Sequence, residues 1–196
     1  VRSLQEVGVT MWNEWADVDG NLGRVYGAQW TDWRSPDGRS INQIHDAIAR
    51  IRRDPDSRRH LVCAWNPGEI DLMALPPCHK TYQFHVADNV LSCILFQRSC
   101  DLGLGFAFNA FSAALLTRML AAVCGYKAGE LIWQGGDVHL YLNHASLVEE
   151  QLSRAPAGNP KLKLLRTPNS IFDFTIEDFE VLDYQPQSHI SAPVAV

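Results

Sequence analysis

The stretch PPCHKTYQFHVADNVLSCILFQRSCD, residues 76–101, contains two runs of β-forming residues with polar residues at both ends. The runs cover residues 81–88 and 90–98, are rich in aromatic and branched side chains, and meet at Asp88-Asn89. Two such runs joined by a short polar pair predict a β-hairpin. The fold is therefore expected to be built around a sheet that contains this hairpin.

A helix is predicted before the hairpin, opening at Ser40. Ser40 and Gln43 have the spacing of a capping box, in which each side chain bonds the other residue's free backbone N–H. Apolar residues at helical spacing then predict one buried face, made of Ile41, Ile44, Ile48 and Ile51. Pro55 ends the helix, because the residue before a proline disfavours helical geometry.

The rest of the chain mixes helices and strands. Residues 109–123 are almost entirely apolar and are followed by Gly125 at a C-cap position, which predicts a buried central helix. A further amphipathic helix is predicted over residues 143–154, and strands over residues 60–65, 161–165 and 179–184. The first forty residues are expected to be irregular. Because β and α segments do not alternate strictly, the expected class is α+β, with one domain over residues 1–196.

Composition narrows the classes of function. The net charge of -5 gives no general attraction to nucleic acid or to anionic membranes, so an anionic ligand needs a local basic cluster. We see no run of about 18 apolar residues and no signal-peptide core, and we expect no membrane segment. The five cysteines lack metal-ligand spacing. We therefore expect reduced thiols, a cytoplasmic protein and no metal.

Cys78 is the candidate nucleophile. Pro76 and Pro77 fix the backbone before it, and His79 and Lys80 follow it. A thiol reacts as the thiolate, which nearby positive charge favours. By itself this pattern is a weak signal, since a buried structural cysteine is more common.

Basic residues suggest where an anion would bind. Arg98 with Ser99 is a reasonable site for a phosphate or carboxylate, and Asp101 lies in the loop beyond them. Arg58 and Arg59 form a separate basic pair beside a predicted buried strand. Both patterns are also typical of solvated surface charges.

Three further polar residues are candidates for ligand contacts. His139 and Tyr141 lie two apart, so in extended chain they share a face and can reach one hydroxyl group. Asn109 carries an amide donor and acceptor that can match the edge of a base, although a helix N-cap is the simpler explanation.

The order of these motifs is more specific than any one of them. They are WNEWAD (12–17), GRVYGAQW (23–30), DPDSRR (54–59), AWNPGEID (64–71), ALPPCH (74–79), QRSCD (97–101), GGDVHLY (135–141) and a final APVAV (192–196). In this order the chain resembles the thymidylate synthase family over essentially all of its length. The resemblance implies a mixed β-sheet with flanking helices and a homodimer formed through the sheet.

The resemblance also implies an activity, the methylation of dUMP by 5,10-methylenetetrahydrofolate to give dTMP and dihydrofolate. Cys78 would add to C6 of the pyrimidine, and the implied catalytic set is Cys78, Tyr26, His79, Asn109 and Arg98. No metal is implied, and neither membrane nor DNA is needed.

Binding residues follow from the same resemblance. The nucleotide would be held by Arg98 and Ser99 at the phosphate, by Arg58 and Arg59 of the partner subunit at the same phosphate, by Asn109 at the uracil, and by His139 and Tyr141 at the sugar. The folate side would comprise Trp12, Trp15, Asp101, Gly105 and Val196, the last closing over the ligands.

Departures from the family pattern keep two alternatives open. The family's N-terminal segment, with a glutamate and an arginine of its own, is expected to be absent from this chain. Local changes fall beside the expected pockets, at Lys80, Gly103, Ala107, Ala113 and Gln134. One alternative is a hydroxymethylase of the same fold acting on dUMP, dCMP or CMP, and the other is an inactive nucleotide-binding homologue.

Overall fold

The computed structural model describes residues 1–194, in which five α-helices and eight strands are found. The helices are α1 (Arg2–Glu6), α2 (Tyr26–Thr31), α3 (Gln43–Arg53), α4 (Phe106–Cys124) and α5 (Ala145–Ser153). The strands are β1 (Trp33–Arg34), β2 (Ser40–Ile41), β3 (Leu61–Cys63), β4 (His79–Ala87), β5 (Val90–Asp101), β6 (Lys127–His139), β7 (Lys161–Leu164) and β8 (Phe179–Leu182). The predicted α+β class is confirmed.

The central sheet is mixed and has the spatial order β3-β4-β5-β6. β4 pairs antiparallel with β3 and with β5, whereas β5 and β6 run parallel. The parallel register sets Ser99 opposite Asp137 and Asp101 opposite His139. The ends of the two longest strands thus carry neighbouring polar residues.

The predicted hairpin is confirmed. Asp88 and Asn89 connect β4 to β5 with φ values of 51° and 61°. Positive φ at both residues is the geometry of a tight primed turn, which twists in the same sense as the strands and favours Asn and Asp.

The helix predicted from Ser40 begins later than expected, and its predicted capping box is wrong. Ser40 lies in β2, and the N-cap of α3 is Asn42, whose side chain accepts from the His45 N–H at 2.9 Å. The Gln43 side chain bonds the backbone of Cys63 in both directions, at 2.7 and 2.9 Å, and so ties α3 to β3. The apolar stripe is confirmed from Ile44 onward.

Helix α4 is longer than the prediction and begins at Phe106, so Asn109 lies inside its first turn and is not the N-cap. Gly125 ends it with φ 82°, as predicted. One face packs on the sheet through Ala113 and Leu120, both fully buried. The other face leaves Phe108 59% and Phe111 52% exposed, so the helix that was predicted to be buried is buried on one face only.

By length and composition, α4 also qualifies as a candidate membrane span. A single such helix is weak evidence, because the core helix of a soluble protein has the same properties. In this chain α4 contacts both β5 and β6.

One face of the central sheet is open in the single chain. Side chains that alternate with buried or half-buried positions of β3, β5 and β6 remain exposed to water, with Leu61 at 46%, Phe96 at 38% and Ile132 at 44%. The opposite face packs against α3 and α4. The core therefore lies on one side of the sheet.

Candidate active site

Cys78 lies directly before β4, where two distant parts of the chain hold its backbone. Its N–H donates to the Tyr26 hydroxyl oxygen at 2.9 Å, and its carbonyl accepts from the Arg98 N–H at 2.9 Å. The residue is half-buried. The sulfur therefore belongs to a backbone fixed by α2 on one side and β5 on the other.

Arg98 supports the loop that carries this cysteine. Its Nε donates to the Pro77 carbonyl at 3.0 Å and its Nη2 to the Pro76 carbonyl at 2.7 Å. The guanidinium also lies over the Trp65 ring, 5.3 Å from the centroid. The sequence predicted that Arg98 binds an anion. The structure shows in addition that two of its three guanidinium nitrogens donate to the carbonyls of the two prolines before Cys78.

Several aromatic rings lie around Tyr26, whose hydroxyl bonds the Cys78 backbone. Tyr26 lies 6.3 Å from Trp12 and 5.4 Å from His79 between ring centroids, and Trp12 lies 5.9 Å from Trp15. Burial, and then the nearby Cys78, raise the pKa of the Tyr26 hydroxyl, so it stays protonated near neutral pH. Burial lowers the pKa of His79, which favours a neutral imidazole. Both side chains therefore favour their neutral forms near pH 7.

Gln97 was not predicted, yet it orients Asn109. It is fully buried, and its Nε2 donates to Asn109 Oδ1 at 2.7 Å and to the Ser99 carbonyl at 3.0 Å. Trp133 Nε1 donates to Gln97 Oε1 at 2.9 Å and fixes the amide's orientation. The strand alternation pointed to this residue, since position 97 shares the inward face with buried Cys93 and Leu95.

The β5–β6 ends bring together the residues expected at the sugar and folate. Asp101 accepts from the Gly103 N–H at 2.8 Å, and the Gly105 N–H donates to the Asp101 carbonyl at 3.0 Å. A side chain at Gly105 would place its Cβ 3.1 Å from that carbonyl. The His139 and Tyr141 rings lie 5.0 Å apart between centroids.

Two sets of predicted residues are not gathered there. Arg58 and Arg59 are exposed on the loop after α3, where the Arg59 carbonyl accepts from Arg50 Nη1 at 2.9 Å. Val196 lies outside the described residues. The tail before it reaches the site, since the Pro193 carbonyl lies 2.8 Å from His144 Nε2.

Three of the other four cysteines lie in surroundings that raise the pKa of the thiol. Burial raises the pKa of Cys93 to about 12, and burial also raises the pKa values of Cys100 and Cys124. These thiols stay protonated and are poor nucleophiles. Within residues 1–194, no group of three His, Cys, Asp or Glu side chains is arranged to hold a metal ion.

Comparison with known proteins gives consistent matches. The family described as thymidylate synthase matches residues 1–196. A thymidylate synthase of Sphingopyxis alaskensis is 52% identical over an alignment that covers 100% of this chain and 76% of that protein. A thymidylate synthase of Novosphingobium aromaticivorans is 57% identical over 90% of this chain and 60% of that protein. Both relatives are longer than the part that the chain spans.

Proposed function

The chain belongs to the thymidylate synthase family, and we propose that it methylates dUMP with 5,10-methylenetetrahydrofolate, giving dTMP and dihydrofolate. The observation that carries this proposal is the setting of Cys78. Its backbone is held between Tyr26 and Arg98, and buried amide and imidazole groups lie beside it. This setting suits a thiolate that adds to an electron-poor ring and later leaves it.

The proposed reaction begins with the addition of Cys78 to the pyrimidine ring. The Cys78 thiolate forms a bond to C6 of the pyrimidine, the C5–C6 double bond breaks, and its electron pair moves onto C5 and O4. C5 then bonds the methylene carbon of the folate as one of that carbon's two C–N bonds breaks. The second C–N bond breaks as C5 loses its proton, each freed nitrogen takes up a proton, and tetrahydrofolate leaves an exocyclic methylene on C5. Hydride transfer from tetrahydrofolate to the exocyclic carbon, with loss of the thiolate from C6, gives the two products.

Proton movement falls to the group beside the cysteine. Tyr26 and His79 lie next to each other, and the raised pKa of one and the lowered pKa of the other keep both neutral. Neutral groups of this kind shuttle a proton through bound water without adding charge to the site.

Nucleotide binding is assigned to groups that match each part of dUMP. A dianionic phosphate needs several guanidiniums and a hydroxyl, of which Arg98 supplies one guanidinium and Ser99 the hydroxyl from this subunit. Asn109 would pair with the uracil, and its amide is already oriented by Gln97. His139 and Tyr141 would bond the sugar hydroxyl.

The folate is assigned to the opposite side of the pyrimidine. Trp12 and Trp15 offer ring faces for the pterin and the transferred carbon. Asp101 would bond the pterin nitrogens, and Gly105 permits the close turn that holds Asp101. Val196 and the tail would exclude water from the reactive one-carbon unit.

We further infer a homodimer that packs through the open face of the central sheet. That face exposes Leu61, Phe96 and Ile132, and an apolar face of this kind is typical of a subunit interface. Arg58 and Arg59 are exposed, and within residues 1–194 their side chains form no hydrogen bond or ion pair. In the dimer they would complete the partner's phosphate site.

The test is a product analysis by mass spectrometry combined with the absorbance of dihydrofolate. The intact protein is incubated with methylenetetrahydrofolate and separately with dUMP, dCMP or CMP. We expect dTMP and an equal amount of dihydrofolate from dUMP, and neither from the Cys78→Ala variant. A hydroxymethylated nucleotide without dihydrofolate would assign the chain to the hydroxymethylases. Absence of product from all three nucleotides would contradict the proposal.

Alkylation of thiols provides an independent test of Cys78. We expect iodoacetamide to modify Cys78 faster than Cys93, Cys100 or Cys124, and dUMP to protect it. Mass spectrometry of peptides reads each site separately. Equal rates at Cys78 with and without dUMP would argue against contact between this thiol and the nucleotide.

A further inference from the structure

His144 is a buried polar residue that the proposed mechanism does not use. It is fully buried at the end of the segment that carries His139 and Tyr141, directly before α5. Its Nε2 lies 2.8 Å from the Pro193 carbonyl oxygen. Because a carbonyl oxygen only accepts, Nε2 carries a hydrogen and donates it. The imidazole thus holds the C-terminal tail by its backbone.

The other ring nitrogen faces the Asp101 loop, residues 101–105. Nδ1 is buried, makes no hydrogen bond within residues 1–194, and lies 3.8 Å from Asp101 Oδ1. Asp101 in turn accepts from the N–H groups of Gly103 and Leu104 at 2.8 and 3.4 Å. The ring is therefore inserted between the tail and the loop, and it contacts both through its two nitrogens.

The position of the His144 ring requires a residue without a side chain at position 103, which is Gly103. A Cβ at position 103 would lie 2.6 Å from His144 Nδ1 and 3.2 Å from Asp101 Oδ1. The first distance is shorter than real Cβ contacts, and the histidine ring is fully buried, so it has little room to move aside. The absence of a side chain at this position thus allows the histidine to reach both partners.

We propose that His144 is a positioning residue that fixes the C-terminal tail against the Asp101 loop and thereby sets the affinity for the folate. The proposal rests on the proposed function, which assigns Asp101 and the tail to the folate side. Loss of the histidine leaves the tail without its donor and the loop without its packing partner. Of the residues proposed for the nucleotide, Tyr141 packs edge-on against the His144 ring, with 5.7 Å between the centroids. A phenylalanine at position 144 keeps that contact between rings, and the phosphate and base are assigned to Arg98, Ser99 and Asn109.

The main test compares His144→Phe with His144→Gln. Phe keeps the ring volume and loses both nitrogens, whereas the Gln amide nitrogen reaches the position of Nε2 and can donate to the Pro193 carbonyl. Loss of one buried hydrogen bond predicts a rise of about five- to tenfold in the KM for methylenetetrahydrofolate in the Phe variant. We expect the KM for dUMP to stay within about twofold, and the Gln variant to recover most of the folate affinity.

A second measurement tests the same contact with a second variant, Gly103→Ala, and so applies even if the Phe variant folds poorly. Carboxypeptidase digestion in the presence of dUMP and folate measures how firmly the tail is held, and Gly103→Ala should speed it as His144→Phe does. The matched control is His45→Phe, since the His45 side chain is 73% exposed on α3. Equal rises in both KM values, or unchanged digestion in both the Phe and Ala variants, would overturn the proposal.

Failure of this proposal and failure of the proposed function give different results. Absence of turnover in the unmodified protein would contradict the methylation of dUMP. The digestion of the tail would then still report whether His144 and Gly103 hold it. Normal turnover with an unaltered folate KM in His144→Phe would leave the function intact and remove the positioning role.

Discussion

At the residue scale, the reactive sulfur depends on groups that are far from it in the chain. Tyr26 precedes Cys78 by 52 residues and bonds its N–H, and Arg98 holds its carbonyl and the two prolines before it. The sequence could indicate Cys78 and Arg98 separately, because each lies in a motif of suitable chemistry. It could not indicate that Arg98 supports the cysteine loop, since that contact arises only when β4 and β5 pair.

Gln97 orients the residue that is proposed to bind the base. Its Nε2 fixes the Asn109 amide, so Gln97→Leu should leave Asn109 free to rotate and to present either its donor or its acceptor to the base. We expect a fall of about 10- to 100-fold in kcat/KM for dUMP, equal to a loss of about 1–3 kcal/mol. We also expect weaker discrimination against dCMP.

Steady-state kinetics with dUMP and dCMP measures both effects. Gln97→Glu is the matched variant, because its carboxylate keeps the shape and accepts from Trp133 but has no N–H for Asn109 at neutral pH. A loss of activity in Gln97→Leu with unchanged discrimination between the bases would show that Gln97 acts on the fold and not on Asn109.

His79 gives a prediction for pH. Burial lowers the pKa of His79 in the folded protein below the ordinary value of 6.5. At pH values between the pKa of the folded state and 6.5, the folded protein therefore binds fewer protons than the unfolded chain. The free energy of unfolding should therefore fall as pH is lowered from 6.5 toward the pKa of the folded state, and His79 should have no effect of this kind above pH 6.5. His79→Gln should flatten this part of the profile.

Urea unfolding followed by circular dichroism between pH 5 and pH 8 gives the profile. The exposed His45 supplies the control, since His45→Gln should keep the slope of the unmodified protein. An unaltered slope in His79→Gln would mean that other groups cause the loss of stability in acid.

At the element scale, segments with a local signal were predicted and segments that depend on distant pairing were not. The hairpin and the apolar stripe of α3 follow from nearby residues. Strand β6 was not predicted over most of its length, because it contains Gly129, Gly135 and Gly136 and alternates weakly. Its stability comes from parallel pairing with β5. The predicted capping box was wrong because Ser40 pairs with Arg34 in a short sheet.

The turn at Asp88 and Asn89 allows a test at this scale. Both residues have positive φ, so a β-branched residue at the first position is strained, whereas glycine at the second is relaxed. We expect Asp88→Val to lower the free energy of unfolding by about 1–2 kcal/mol and Asn89→Gly to raise it by a few tenths. Chemical denaturation measures both. Equal stability of the two variants would contradict a primed turn.

In the whole molecule, the site lies where the sheet, α2 and the tail meet, whereas Arg58 and Arg59 lie elsewhere, on the loop after α3. The order of the motifs along the chain was enough to predict the family, and the lack of strict alternation between helices and strands predicted the α+β class. Arg58 and Arg59 appeared in the sequence as a basic pair without a visible partner, and in the single chain they remain exposed. A site completed by a second copy cannot be read from local patterns, because the contact depends on packing between subunits.

Mixed dimers test whether these arginines act across subunits. A variant with Arg58→Ala and Arg59→Ala keeps Cys78 but lacks the arginines that it would give to its partner, and Cys78→Ala has the opposite defect. Each variant alone should be nearly inactive. If equal amounts are mixed and reassociated at random, half of the dimers are mixed and each has one native site, so about a quarter of the activity should return. Turnover of dUMP before and after mixing measures the recovery.

The matched control mixes Cys78→Ala with Asn109→Ala. Both residues belong to the same subunit's site, so no mixed dimer contains a native site and activity should stay low. The open face supplies a further control, because Ile132→Glu places a charge on the apolar surface proposed for the interface and should prevent recovery in the arginine mixture. Recovery in the Asn109 mixture, or recovery that survives Ile132→Glu in both partners, would contradict a phosphate site shared across the sheet.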